Sequence, residues 1–365
     1  MPHTSFFNNK FSTFQISNIL TWQQEFGVHN IKVTGVQEFQ NNTFTRNAYN
    51  SNDLSLPKGF YFAELAPNAG QTINNNFNER SLSSYMLRAE YILNNNLLVT
   101  ATGRYDGSSV FREGNKWGFF PSVAVAYNLD DWGTNLPGFT SLKLRAGWGQ
   151  VGNQGVDPYS TFATLRFNSY AFDGSSATAG TVLNSFENQD LTWETTSQLN
   201  AGIDIGFLEG RGNLSIDGYQ KTTTDLLLDV PVLEVNGGGV ITQNVGEVEN
   251  FGLDIAMDYI VIDNENLRWN SNLALSFLRN EVTNLFGGLD QIDGLFTAPG
   301  GQARVLNVIQ AGAPLGQFNG ATFLGTWKLS EAAEAANFGR QPGDAKYLRD
   351  EDGEIVFGAI GNGTP

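Results

Sequence analysis

The 365-residue sequence contains no cysteine, which excludes thiol catalysis, disulfide bonds and thiolate metal sites. Histidine is almost absent: His3 lies near the start of the chain and His29 lies beside a predicted turn. The sequence contains no nucleophile elbow of the form Gly-x-Ser-x-Gly, so a Ser-His-Asp hydrolase site is not expected. We therefore predict no catalytic residues.

Charged residues and long apolar runs are also scarce. Only 16% of the residues are charged, against roughly 25% in ordinary soluble proteins. No apolar run approaches the ~18 residues of a membrane-spanning helix. The formal net charge of -16 argues against nucleic-acid binding, which requires clustered Lys and Arg. Residues 1–10 are polar and lack the apolar core of a signal peptide, so we expect either an intracellular chain or a missing N-terminal segment.

Glycine and aromatic residues are abundant, with 41 glycines and 12% aromatics, as in proteins that have many strands and turns. Several segments alternate apolar and polar residues with a period of two, which predicts strands whose two faces meet different media. In residues 97–106, Val99 and Ala101 share the apolar face, whereas Thr100, Thr102 and Arg104 share the polar one. Residues 251–261 and 267–277 show the same pattern most clearly.

Strand length and loop length indicate a membrane barrel. The alternating segments run to roughly 11 residues, longer than the usual ~5 to 6 of soluble strands and close to the 9 to 11 that cross a bilayer. Asp204, Asp254 and Asp258 on polar faces suit a water-filled lumen better than a packed core. Short and long connections alternate along the chain, as in outer-membrane barrels. We therefore predict an all-β, antiparallel transmembrane β-barrel.

About eleven strands are expected, separated by connections of unequal length. The predicted short turns are residues 23–28, 94–96, 130–140, 209–212 and 263–266. The predicted long loops are residues 41–80, 107–116, 151–190, 225–246 and 286–315. Residues 317–328 are predicted to form a further strand, and residues 330–337 a short helix capped by Ser330.

Several segments, in the same order as in the family, resemble the SusC/RagA family of TonB-linked outer-membrane transporters. They are residues 97–111 (LLVTATGRYDGSSVF), 117–122 (WGFFPS), 142–153 (LKLRAGWGQVGN), 219–231 (YQKTTTDLLLDVP), 244–254 (NVGEVENFGLD) and 342–355 (PGDAKYLRDEDGEI). Any one of these segments is weak on its own, whereas all of them in order are specific.

The resemblance implies a 22-stranded barrel with an N-terminal plug, embedded in outer-membrane lipid. It implies import of oligosaccharides or peptides, powered by the TonB-ExbB-ExbD complex and assisted by a SusD-like surface lipoprotein that forms a lid. Residues 1–365 would then be a partial barrel, about half of the wall. The plug, the signal peptide and the last strands are expected to be absent from it.

Aromatic residues in the predicted loops are candidates for stacking on a carbohydrate or packing against the lid. They are Tyr159, Phe162, Tyr170, Phe172 and Phe186. The alternative is that they only anchor the loops. Tryptophans near strand ends are expected to form girdles at the lipid interface rather than sugar platforms; they are Trp22, Trp117, Trp132, Trp148, Trp193, Trp269 and Trp327.

An acidic segment near the end of the chain resembles part of a calcium-binding loop. Its candidate ligands are Asp350, Asp352 and Glu354, with Gly353 permitting the turn. Leu348 stands where a first aspartate is expected, and no distal glutamate follows. A solvated acidic turn without Ca²⁺ is the alternative; no other cofactor is expected.

Three functions agree with these patterns. The first is TonB-dependent import by a non-enzymatic SusC-like transporter. The second is a passive outer-membrane pore, or a barrel that serves as a surface adhesin or scaffold. The third is a secreted soluble all-β carbohydrate-binding or glycosidase domain, which would require a dry closed core and, for hydrolysis, a convergent carboxylate pair.

Overall fold

The computed structural model describes residues 4–51, 71–129, 139–170, 178–232, 239–286, 291–297, 303–351 and 353–360. Within these ranges the chain is almost entirely β-structure. In chain order the strands are β1 (Thr4–Phe26), β2 (His29–Ser51), β3 (Gln71–Leu93), β4 (Leu97–Ser108), β5 (Trp117–Asn128), β6 (Phe139–Asn153), β7 (Thr164–Tyr170), β8 (Thr178–Ser185), β9 (Glu194–Phe207), β10 (Gly212–Thr224), β11 (Leu227–Pro231), β12 (Val240–Asn244), β13 (Glu247–Asp263), β14 (Arg268–Asn284), β15 (Gln291–Thr297), β16 (Ala303–Gln310), β17 (Gln317–Ala321), β18 (Phe323–Thr326), β19 (Ala345–Tyr347) and β20 (Phe357–Ile360).

A ten-stranded sheet dominates the fold, in the order β1-β2-β3-β4-β5-β6-β9-β10-β13-β14. All neighbouring strands in it are antiparallel. The strands of this sheet are adjacent in the order in which they occur along the chain. The strands β7, β8, β11 and β12 lie in long connections and do not belong to it. This up-and-down order is that of a barrel wall, and it confirms the predicted antiparallel all-β class. Among the described strands, β1 and β14 form the edges of an open wall.

The register aligns the apolar residues of successive strands into rows. One row crosses nine strands and consists of Ile31, Tyr91, Val99, Val125, Ala146, Ala201, Gly218, Leu253 and Phe277. On the same face, Leu20 is 78% exposed and Leu87 is 61% exposed. No second layer of described residues covers this face, so the predicted two-faced wall is confirmed.

Short hairpin turns join the strands at one end of the wall, which we call the hairpin-turn edge. In the β1–β2 hairpin only Gly27 and Val28 lie outside the strands, and Gly27 adopts φ 63°. This turn is tighter than the predicted break at residues 23–28. In the β3–β4 turn, Asn94 and Asn95 have φ of 51° and 58°, a conformation that asparagine tolerates well. The turns at residues 208–211 and 264–267 lie at the same edge, whereas residues 130–138 of another predicted turn lie outside the described part.

The prediction of a loop at residues 41–80 was wrong for most of the residues that the structure describes there. β2 continues to Ser51 and β3 starts at Gln71, paired without a break in register. These extensions are rich in Asn and Thr on both faces. Beyond a lipid layer both faces of a strand meet water, so the hydrogen-bonded ladder persists there without the alternation that predicts it.

The other predicted long loops also contain strands. Within residues 151–190 and 225–246, the strands β7, β8, β11 and β12 form a four-stranded sheet in the order β11-β12-β8-β7. Within residues 286–315, β15 and β16 form a hairpin that joins β17 and β20. The predicted strand at residues 317–328 is divided between β17 and β18, which belong to different small sheets. These strands are short, so periodicity did not reveal them.

Ser330 does not cap the helix α1 (Ala332–Asn337), contrary to prediction. It lies inside a 3-10 turn, Leu329–Glu331, that precedes α1. The Glu331 carboxylate accepts the backbone N–H of Lys328 at 2.9 Å and therefore caps this turn. In the described part of the chain, no helix has the length and apolarity needed to cross a membrane.

Candidate functional site

The polar face of the ten-stranded sheet borders a concavity of about 1050 Å³. One row of register partners crosses its middle, and we call it the central polar row. It consists of Thr21, Thr34, Arg88, Thr102, Ser122, Gly149, Gln198, Lys221, Asn250 and Asn280. The row contains no apolar side chain, because alternate residues of each strand point to this face and the sequence places polar residues there. Six of its members line the concavity.

Ion pairs on this face occur both between neighbouring strands and within one strand. Lys32 Nζ lies 3.1 Å from Glu90 Oε2, and Arg104 Nε lies 2.7 Å from Asp106 Oδ2. The Arg104 guanidinium also donates to Ser84 Oγ on the neighbouring strand β3 at 2.9 Å, which ties this half-buried pair to β3. These contacts rigidify the wall.

Arg145 organises the largest charged cluster on the polar face. Its guanidinium donates to Asp204 Oδ1 at 2.7 Å and to Asp217 Oδ1 at 2.8 Å. Ser215 completes the cluster, donating to Asp204 at 2.8 Å. Two carboxylates around one guanidinium leave a formal charge of -1, close to the hairpin-turn edge. Asp204 was predicted to face water, whereas its partnership with Arg145 was not, because the two residues are 59 positions apart.

Folded loops cover the opposite end of the wall, which we call the long-loop edge. A hydrophobic cluster joins them, formed by Val110, Phe111, Phe120, Val156, Leu191 and Trp193. The Trp193 indole N–H donates to the carbonyl of Lys116 at 3.0 Å, and Arg80 donates to the carbonyl of Val156 at 2.7 Å. The loops at 109–116, 154–163 and 186–193 therefore form one packed unit above the concavity.

The tryptophans predicted to form girdles fall into two groups. Trp22, Trp117, Trp148 and Trp269 lie on the apolar face and are 37–55% exposed. Trp193 and Trp327 are 6% and 3% exposed, so these two are core residues of the loops rather than girdle residues. Trp327 stacks on Phe338 with ring centroids 6.1 Å apart. Trp132 lies outside the described residues.

Two of the predicted ligand-binding aromatics lie on one turn of the loop unit. Tyr159 adopts φ 71° and its carbonyl accepts the N–H of Phe162 at 2.9 Å. The Phe162 ring lies beneath the Arg112 guanidinium, 3.8 Å from ring centroid to Cζ. Both rings remain nearly half exposed. Their role in ligand binding stays a prediction.

The remaining predicted aromatics lie elsewhere in the loops. Phe186 follows β8, and its backbone N–H donates to the carbonyl of Val240 at 3.0 Å. Tyr170 is the last residue of β7. Phe172 lies outside the described residues. These residues also remain predictions as ligand contacts.

The acidic turn at residues 350–354 closes on itself. Asp350 Oδ1 accepts the backbone N–H of Glu354 at 2.8 Å, and the N–H of Asp350 donates to the carbonyl of Glu354 at 3.0 Å. Asp352 lies outside the described residues. In the described part of the chain, no trio of acidic or histidine side chains is grouped as in a metal site. Calcium binding by Asp350, Asp352 and Glu354 stays a prediction.

The resemblance to SusC/RagA transporters implied a barrel wall with long loops at one end, and the structure has this arrangement. Comparison with known proteins agrees with the resemblance. Residues 2–353 match the family model described as TonB dependent receptor-like, beta-barrel. The chain belongs to the TonB-dependent receptor family. TonB-dependent receptor P26 of Formosa agariphila is 33% identical to it over 350 residues, which cover 93% of the chain. TonB-dependent receptor SusC of Bacteroides thetaiotaomicron is 36% identical over 216 residues, or 58% of the chain.

The chain spans about a third of the length of P26 (34%), and its match to SusC covers 22% of that protein. The structure of the RagAB peptide transporter superposes with a TM-score of 0.80 at 21% identity. That match covers 98% of the chain and 38% of the transporter chain, and it supports the fold alone. Barrels of the TonB-dependent receptor family are outer-membrane proteins, and its members are transporters rather than enzymes.

Proposed function

We propose that this TonB-dependent receptor chain forms part of the barrel wall of an outer-membrane importer for oligosaccharides or peptides. The observation that carries the proposal is the register, which aligns apolar rows on one face and the central polar row on the other. Lipid is the medium that accepts a continuous, exposed apolar surface at no cost, and water accepts the opposite face. The polar face then lines the substrate path.

The long-loop edge then faces the cell exterior. Its packed loops, with Tyr159 and Phe162 partly exposed, are placed to meet the substrate and a SusD-like lipoprotein lid. Energy for import comes from the TonB-ExbB-ExbD complex, acting through a plug in the longer protein. The resemblance to SusC-like transporters supports a glycan as substrate, whereas the RagAB transporter of similar fold is a peptide transporter and supports a peptide.

Uptake by cells tests the proposal. The full-length protein is expressed in a host lacking its own copy, with and without a functional tonB gene, and uptake of labelled oligosaccharides and peptides is measured. The proposal predicts saturable uptake that requires both genes. Uptake that persists without tonB indicates a passive pore, and recovery of the protein in the soluble fraction contradicts a membrane role altogether.

A further inference from the structure

The charges of the residues that line the concavity differ from those of the whole chain. The chain carries 37 acidic residues against 21 Lys and Arg. The concavity, in contrast, is lined by four cations (Arg88, Arg104, Arg145 and Lys221) and one carboxylate, Asp106. The lining of the concavity is thus more basic than the chain as a whole, and other carboxylates of the polar face, such as those of Asp204 and Asp217, lie outside that lining.

Two of these cations are already neutralised. Arg104 pairs with Asp106, and Arg145 pairs with Asp204 and Asp217. Arg88 and Lys221 differ, since neither has a carboxylate within ion-pair distance among the described residues. Arg88 donates only a hydrogen bond to Thr102, a neutral partner, at 3.2 Å. The unbalanced positive charge of the concavity therefore belongs to Arg88 and Lys221.

Both residues lie in the central polar row. Four strands, β4, β5, β6 and β9, separate β3 from β10 in the sheet. At ~4.8 Å per strand spacing, the two cations are about 24 Å apart along the wall. The residues between them are neutral and small or hydrogen-bonding: Thr102, Ser122, Gly149 and Gln198.

We propose that the central polar row is a track for an acidic oligosaccharide, with Arg88 and Lys221 each meeting a carboxylate or sulfate on a different sugar unit. Their separation is too large for one small anion, which favours an oligomer with repeated charge. The hydroxyl and amide groups between them match the ring hydroxyls of a sugar chain. This inference rests on the proposed import function and narrows its substrate class.

Binding to purified full-length protein in detergent tests the track, using an oligogalacturonate, a neutral maltooligosaccharide and an oligoglutamate peptide as probes. We expect the oligogalacturonate to bind most tightly at low salt, with the preference shrinking as salt screens the charges. The double variant Arg88→Gln/Lys221→Gln is expected to lose about tenfold in affinity for the oligogalacturonate, a few-fold for each partly exposed pair. Its affinity for the maltooligosaccharide should not change.

Two control variants accompany the measurement. Lys10→Gln removes an exposed cation from the opposite face of β1 and is expected to change nothing. Arg88→Lys/Lys221→Arg keeps the charges and is expected to retain the preference, which separates charge from folding defects.

Several results would overturn the inference. They are a wild-type protein that binds none of the probes or shows no preference for acid, a preference for oligoglutamate, and an equal loss of both sugars in the double variant. The last result would mean that the cations hold another segment of the protein in the lumen. Acid-selective binding without tonB-dependent uptake would contradict the import function and leave the track intact.

Discussion

At the scale of single residues, glycine opposite an aromatic ring recurs along the sheet. An added Cβ would overlap the ring of a cross-strand or neighbouring aromatic residue at several positions. The pairs are Gly107 with Trp117, Gly118 and Gly152 with Phe120, Gly212 with Phe207, and Gly252 with Tyr219. The ring occupies the space that a side chain would fill at the glycine and covers backbone that would otherwise be bare.

Gly252→Ala tests this close packing. The methyl group forces the Tyr219 ring out of its place, and we expect a loss of about 1–3 kcal/mol in unfolding free energy. Gly218→Ala, on the adjacent strand, meets no atom within 4 Å and is the matched control; we expect a change within ~0.5 kcal/mol. Urea unfolding of the refolded protein in detergent measures both. Equal losses would show that the ring contact is not responsible.

Sequence alternation assigns residues to a face but cannot reveal their partners. The period of two placed Asp204 on a polar face but did not identify Arg145 as its partner. Arg145 also forms an ion pair with Asp217, 72 positions away. This contact depends on the strand order and register, which the sequence pattern does not give. The same limit applies to Arg88 and Lys221, whose shared row is visible only once the strands are paired.

At the scale of elements, the loops are folded units rather than free connections. The predicted loops were recognised by composition, which does not separate a disordered segment from short strands and packed turns. Strands such as β11 and β12 have five residues each, too few for a clear period. The hydrophobic cluster around Trp193 was missed because its members come from three separate loops and from β5.

Trp193→Ala should loosen the loop unit without unfolding the wall. Trp193 packs against Phe111 and Phe120 with centroid distances of 5.3 and 5.4 Å. Truncation of such a buried ring costs about 3–5 kcal/mol, which we expect to fall on the loops alone. Limited proteolysis should then cleave within residues 109–116 and 154–163, while heat-induced unfolding of the wall changes little.

Trp269→Ala is the control for this prediction, since Trp269 is 55% exposed on the apolar face. It should leave the loops resistant to protease. Resistant loops in Trp193→Ala would contradict the role of the cluster.

The turn before α1 should respond to acid. Hydrogen bonding of the Glu331 carboxylate, first to the backbone N–H of Lys328 and then to Lys346 Nζ at 2.9 Å, lowers the pKa of Glu331. A lowered folded pKa means that the stabilisation is fully present above the unfolded pKa of ~4.3 and is lost as pH falls through the folded value. We expect the protection of the Lys328 amide against exchange, relative to its intrinsic rate at each pH, to fall as pH drops below the unfolded pKa. Glu331→Gln should remove this pH step, and a step that persists would assign it to another group.

At the scale of the whole molecule, the account depends on two media meeting the two faces of one wall. This two-faced wall could be predicted from the sequence. The period of two, the length of the strands and the sorting of the turns by length all follow from a sheet that lies between lipid and water. The polar extensions of β1, β2 and β3 escaped prediction for the same reason: outside the lipid both faces are wet.

The most direct measurement is a cysteine scan of β4 in the full-length receptor in membranes. The chain contributes no cysteine of its own, so once any cysteine elsewhere in the receptor is replaced by serine, each single substitution in β4 carries the sole nitroxide label. We predict that labels at Val99, Ala101 and Tyr105 collide with oxygen in lipid, whereas labels at Thr100 and Thr102 collide with a water-soluble nickel reagent. Labels with the same environment at odd and even positions, or shielded from both reagents on the apolar face, would contradict the account.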